Sequence, residues 1–119
     1  MAIAIEAEMD PSEILDFDLD FASAAKPVLE AGETIASFTL ATTAEAAAHG
    51  LQIKSGSPYD PALTSANTVI RAWLQVNPAE VNNAAFVDGI ALGIEATIIT
   101  NASPARTRQR TFEVTVKQL

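Results

Sequence analysis

The chain has 119 residues, 49% of them apolar and 18% charged, which suits one compact globular domain and runs against a disordered or multi-domain chain. Fifteen acids against seven lysines and arginines leave a formal net charge of -8, a field that repels a polyanion and so disfavours phosphate-tracking nucleic-acid binding. Cysteine is absent, which excludes disulfide frameworks, thiol catalysis and thiolate metal sites.

No stretch reaches the roughly 18 consecutive apolar residues of a membrane span, so a soluble chain without a membrane partner is expected. The opening nine residues lack a basic n-region and carry acids where an apolar h-region would continue, so secretory export is not expected. Nine acids lie in residues 1–33 against the single base Lys26, whereas residues 34–119 hold six of each sign. Arg106, Arg108 and Arg110 fall within five residues. They either form a basic pole opposite the acidic segment or pair with it.

Residues 1–9 alternate weakly, with Ile3, Ile5, Ala7 and Met9 on one side. They read as an arm able to add to a neighbour's open sheet edge, as an extra strand of the domain formed by residues 10–119, or as a frayed end. From Leu15 to Phe21 the alternation is strict, Leu15, Phe17, Leu19 and Phe21 facing one way and Asp16, Asp18 and Asp20 the other, as in a strand with one wet face. Pro27 and the turn signal at Ala31-Gly32-Glu33 precede a second strand over residues 34–42. There the apolar phase slips between Ile35 and Phe38, which suggests a bulge. Thr43 and Gly50 bracket an alanine-rich stretch that predicts one or two helical turns.

Leu51 to Ser55 reads as a short strand, followed by a loop through Tyr59 to Ala62. The run of β-branched and aromatic residues from Thr68 to Val76 predicts a central strand with Trp73 in the core. Asn77-Pro78 ends it, and residues 79–88 read as a loop with one helical turn near Ala79 to Asn83. Residues 90–100 form a strand, best defined from Ile94 to Thr100, with Gly89 and Gly93 taken as its start and a bulge. After a turn from Asn101 to Ala105, Phe112, Val114 and Val116 alternate with polar residues in a closing strand, 110–117. Six to seven strands without a long helical period predict an all-β, immunoglobulin-like β-sandwich.

Catalytic chemistry finds no purchase. The single histidine, His49, lies in the alanine-rich turn without a local nucleophile or orienting acid. Counting from Asp16, an EF-hand would need glycine where Phe21 stands and glutamate where Pro27 stands, and strand geometry spaces the carboxylates about 6.6 Å apart. No phosphate-binding glycine motif occurs, and no catalytic, metal or cofactor site is expected. Asn101-Ala-Ser103 is a chance sequon in a turn. Arg106, Arg108 and Arg110 would share one face of an extended segment, where they either grip a partner's carboxylates or blunt a sheet edge.

Two clusters carry a family resemblance. Asp10-Pro11, Ile14-Leu15-Asp16-Phe17, Asp20-Phe21, Leu29 and Gly32-Glu33-Thr34-Ile35-Ala36-Ser37 form the first; Val69, Trp73-Leu74, Ile98 to Thr100, Arg106 and Arg110-Thr111-Phe112 with Val114 form the second. Together they resemble the fibre-tail adaptor proteins of tailed bacteriophages, over roughly residues 10–117. Departures are Phe21, where tryptophan is common, an apparent insertion at Ala44 to His49, and a longer, glycine-poor loop from Asn77 to Asp88. The resemblance implies a non-enzymatic module present in several copies in the virion, made in the host cytoplasm, that joins fibres or peripheral proteins to a tail or connector ring. From the residues' own pattern, the apolar arm, the wet acidic strand face and the alternating arginines, the contact residues expected for such a module are Ile3, Ile5, Asp16, Asp18, Asp20, Arg106, Arg108 and Arg110. The competing reading is a carbohydrate-binding or adhesion module, for which Tyr59 and Phe86 are the aromatics placed in loops.

Overall fold

In the computed structural model, which describes residues 3–23 and 27–119, eight strands build two facing sheets. In chain order the elements are β1 (Ile3–Met9), β2 (Leu15–Asp20), β3 (Ile35–Thr42), α1 (Ala44–Ala48), β4 (Leu51–Lys54), β5 (Ala62–Thr64) and β6 (Val69–Val76). A 3-10 turn (Pro78–Glu80), α2 (Ala85–Asp88), β7 (Ile90–Thr100) and β8 (Thr107–Val116) complete the chain. One sheet has the order β1-β8-β7-β3. The other has β2-β6-β4, with β5 also paired to β6. This is the immunoglobulin-like arrangement: β2, β6 and β4 take the places of strands B, E and D, and β3, β7 and β8 those of C, F and G.

The strict alternation of β2 is realised directly. Phe17 and Leu19 are buried while Asp16, Asp18 and Asp20 face solvent. In β3 the predicted bulge is present, since the pairing with β7 shifts between Ile35 and Ser37. Ala36 is the extra residue, so Ile35 points inward before the slip and Phe38 and Leu40 after it. Thr43 caps α1 by accepting the Ala46 N–H at 3.2 Å. The inner faces meet in a core of Phe17, Leu19, Phe21, Ile70, Leu74, Leu92, Ile94, Ile98, Phe112 and Val114. Each such side chain contributes about 1.5–3 kcal/mol by leaving water. Phe21 and Phe112 join the two sheets edge to face, with ring centroids 5.3 Å apart.

Several sequence expectations are corrected. Trp73 is not a core residue: in β6 Ile70, Ala72, Leu74 and Val76 are buried, so Arg71, Trp73 and Gln75 occupy the outer face and Trp73 is half-buried. Phe86, expected in a loop, is fully buried, because a second helical turn, α2, lifts it into the core. Asn83 starts that turn by accepting the Ala85 N–H, and Gln118 donates its N–H to the Phe86 carbonyl. Ala62, read as the end of a loop, instead opens a further short strand, β5, that runs to Thr64. Gly93 marks no bulge. Its register with Glu113 is unbroken, and it is glycine because a Cβ would lie 2.7 Å from Thr43 Cγ2 and 3.0 Å from Thr111 Cγ2.

Ile3 to Met9 lie on their own domain, paired in parallel with β8 through Ile3–Phe112, Ala4–Glu113, Glu8–Thr115 and Met9–Val116. Between Ala4 and Glu8 the ladder is irregular. Ile3 and Ile5 are half-buried against the core, and Met9 is fully buried within it.

Candidate functional site

The eight residues singled out from the sequence do not converge on one site. The acids of β2 stand in register with β6, Asp16 opposite Trp73 and Asp18 opposite Arg71. The Arg71 guanidinium lies between them, its Nε 3.4 Å from Asp16 Oδ2 and 3.2 Å from Asp18 Oδ1. These pairs are about half exposed, so each is worth about 0–1 kcal/mol. Asp20 does something different: its Oδ1 accepts the Ala22 N–H at 2.8 Å and shapes the turn that leaves the strand. Arg71 is the base that sequence reasoning missed. The parity of β6 carried the signal, because inward Ile70 and Ala72 force residue 71 to the outer face beside β2.

The same outer face carries an aromatic pair. Tyr59 meets Trp73 edge to face at 5.3 Å, and Lys54 Nζ sits 4.8 Å from the Tyr59 ring centroid. One face of Tyr59 is therefore taken by an ammonium group. Phe86 is buried, so of the two loop aromatics on which a sugar platform was argued only Tyr59, half-buried, remains at the surface.

The three arginines do not share one grip. Arg106 precedes β8 and turns to Glu33, Nη1 to Oε2 at 3.2 Å, with Glu30 Oε1 at 4.0 Å. Arg108 and Arg110 lie on β8 with the parity of Phe112. Arg108 donates to the Val28 carbonyl at 3.0 Å and Arg110 to the Gln109 carbonyl at 2.7 Å. Of the two outcomes weighed for this segment, pairing with the acidic region applies to Arg106. The structure does bring Ile3 and Arg110 together: with Val28, Glu95, Gln109 and Thr111 they line an open cleft of about 570 Å³.

The most fully built polar cluster is one the sequence reading passed over. The Glu33 side chain is only 4% exposed. Its Oε1 accepts the Glu30 N–H at 2.9 Å and its Oε2 the Arg106 guanidinium. Thr100 Oγ1 accepts the Arg106 N–H at 3.1 Å, and Asn101 Oδ1 accepts the Thr34 N–H at 2.8 Å. The Glu30 N–H first, then the Thr100 hydroxyl and the Arg106 charge, hold the Glu33 carboxyl below the usual glutamate range, against the opposing effect of burial. Asp10 is lowered similarly, chiefly by the Ser12 hydroxyl and then by the Leu119 N–H, which reaches Oδ2 at 2.9 Å.

A carboxyl with a depressed pKa in the folded state binds protons more readily when unfolded, so its contribution is complete above the ordinary glutamate range and disappears as pH falls through the folded value. The thermal-stability margin of the native chain over Glu33→Gln is therefore expected to be full at neutral pH and to shrink on acidification. Melting both proteins along a descending pH series checks this; parallel curves would remove any charge-dependent role from Glu33.

Among the described residues no group of three or more histidine, aspartate or glutamate side chains is placed to hold a metal ion, and no helix is long and apolar enough to cross a membrane. In comparison with known proteins, no family model and no curated protein matches this sequence.

Proposed function

We propose that this chain is a structural component of a tailed-phage virion, an adaptor that joins fibres or other peripheral proteins to the tail or connector. One observation carries the reading. The two sequence clusters that resemble the fibre-tail adaptor family are tied to each other at one end of the sandwich, where Glu33 of the first holds Arg106 of the second, 73 positions away. The Thr34–Asn101 hydrogen bonds lie beside them. Glu33, Thr34 and Arg106, three of the residues that carry the likeness, thus clamp the β2–β3 connection to the β7–β8 turn. The acidic outer face of β2 and the cleft beside Ile3 and Arg110 are the surfaces offered to other virion proteins. No enzymatic activity is proposed.

The test is stoichiometric. In gradient-purified particles of the phage that encodes the chain, peptide mass spectrometry is expected to find it in a fixed ratio to the portal protein that fits a ring-symmetric assembly. Particles that lack the chain would overturn the proposal.

A further inference from the structure

Two sheets leave four long edges, and the sequence treats them unequally. β1 carries Glu8, β2 carries Asp16, Asp18 and Asp20, and the fourth edge is shared by β4, which ends in Lys54, and β5, which is only three residues long. Charges placed along an edge keep a second chain from adding to it. β3, the edge of the β1-β8-β7-β3 sheet, has the sequence Ile-Ala-Ser-Phe-Thr-Leu-Ala-Thr over Ile35–Thr42, eight residues with no charge and no proline. Ile35 donates its N–H to the Asn67 carbonyl at 2.8 Å, and beyond the bulge β3 has no strand partner on its free side, where Ser37, Thr39 and Ala41 are exposed. Next to it on the outer face lies Ile99, paired with Ser37 and 44% exposed.

We propose that β3 is a docking edge for a second copy of this chain, paired antiparallel about a two-fold axis at Thr39. Three observations choose this occupant. First, the segment bears no charge with which to select an acidic or basic partner, whereas pairing with itself sets uncharged residues opposite one another. Second, the bulge at Ala36 leaves Ser37–Thr42 as the regular part of the strand. An axis at Thr39 then sets Ser37 of one copy opposite Ala41 of the other on the outer face. It sets Phe38 opposite Leu40 on the inner face, so both cores continue across the seam. Third, the chain is strongly acidic, and like-charged copies tolerate only a contact that keeps their acids apart. β3 packs across from β4, and β1 across from β2. Glu8 and the acids of β2 therefore occupy the flank opposite β3 and lie at the far ends of the pair, while Glu45 on α1, just past the end of β3, is an exposed acid that stays on the docking flank. Glu95, one strand in from the edge, is turned to a hydrogen bond with Gln109. A two-fold contact of this kind is closed, so it yields a dimer and not a fibre. The inference does not depend on the adaptor reading.

The absence of cysteine makes the test clean. Antiparallel partners have Cα atoms about 4.5–5.5 Å apart, within the span of a disulfide. In the full chain, Thr39→Cys is expected to form a disulfide-linked dimer under mild oxidation, and Ala4→Cys is expected to stay monomeric. Sedimentation equilibrium of the cysteine-free protein is expected to show a concentration-dependent dimer. Its Kd is expected to rise by about tenfold or more in Thr39→Lys, which sets like charges across the axis, and to be unchanged in Thr39→Ser. A cysteine-free protein that remains monomeric at millimolar concentration would overturn the proposal, as would a dimer that survives Thr39→Lys. Cross-linking between copies bearing cysteine at positions 4 and 39 would overturn it too, in favour of exchange of the β1 segment.

Discussion

Phe112→Ala is expected to cost about 3–5 kcal/mol of folding stability, enough to unfold much of the chain at moderate temperature. The ring is 2% exposed, sits at the centre of β8 and meets Phe21 of the opposite sheet edge to face. Its removal opens a void between two sheets whose backbones are fixed by continuous ladders, so the walls have little freedom to close over it. Trp73→Ala removes a larger side chain and is nevertheless expected to cost clearly less, because the indole lies on the outer face and loses its contact with Tyr59, not a place in the core. Denaturant melts of the two variants side by side decide the matter. A Trp73→Ala loss equal to that of Phe112→Ala would mean that the outer aromatic cluster holds the fold together as firmly as the sheet interface does.

The second large effect is expected at Gly50. It follows α1 with φ at +85°, a conformation that costs a residue with a Cβ about 1–2 kcal/mol. Here a Cβ would also lie 2.7 Å from Glu80 Cγ and 2.8 Å from Glu80 Cβ, atoms too close to the backbone root to swing aside. Overpacking of this sort adds about 1–3 kcal/mol. Gly56 separates the two contributions, since its φ is +90° and nothing lies within 4 Å of a Cβ there. Gly50→Ala is expected to lower the melting midpoint further than Gly56→Ala. Equal shifts would show that Glu80 moves away freely and that backbone conformation alone accounts for the loss.

The sandwich was legible in the sequence wherever one face of a strand is wet. Leu15 to Asp20 and Phe112 to Val116 alternate in sequence because they alternate between core and water, and the slip between Ile35 and Phe38 marked a real bulge. Reading was harder where composition and phase disagreed. The run Val69 to Val76 is apolar or aromatic at six of its eight positions, on both faces, and the size of Trp73 outweighed the parity shared with Arg71 and Gln75. Phe86 was hidden for another reason: a four-residue helix is too short to show a period, and its placement goes with the Asn83 side chain, which accepts the Ala85 N–H, and with the distant Gln118 backbone. The Glu33 cluster depends on contacts across 73 positions, which no local pattern announces. The three arginines shared a spacing but not a strand, because β8 begins only at Thr107 and leaves Arg106 in the turn.

The parallel pairing of β1 with β8 carries a consequence for synthesis on the ribosome. Ile3 has its partner at Phe112, so the segment made first in this ladder waits for the segment made last. At about 5–20 residues per second the wait is roughly 5–20 s, during which no β8 exists to receive it. An apolar strand left unpaired for that long is open to pairing with other nascent chains. In sequence, Glu6 and Glu8 interrupt its apolar residues Ile3, Ile5 and Met9, the pattern of charge that opposes such pairing.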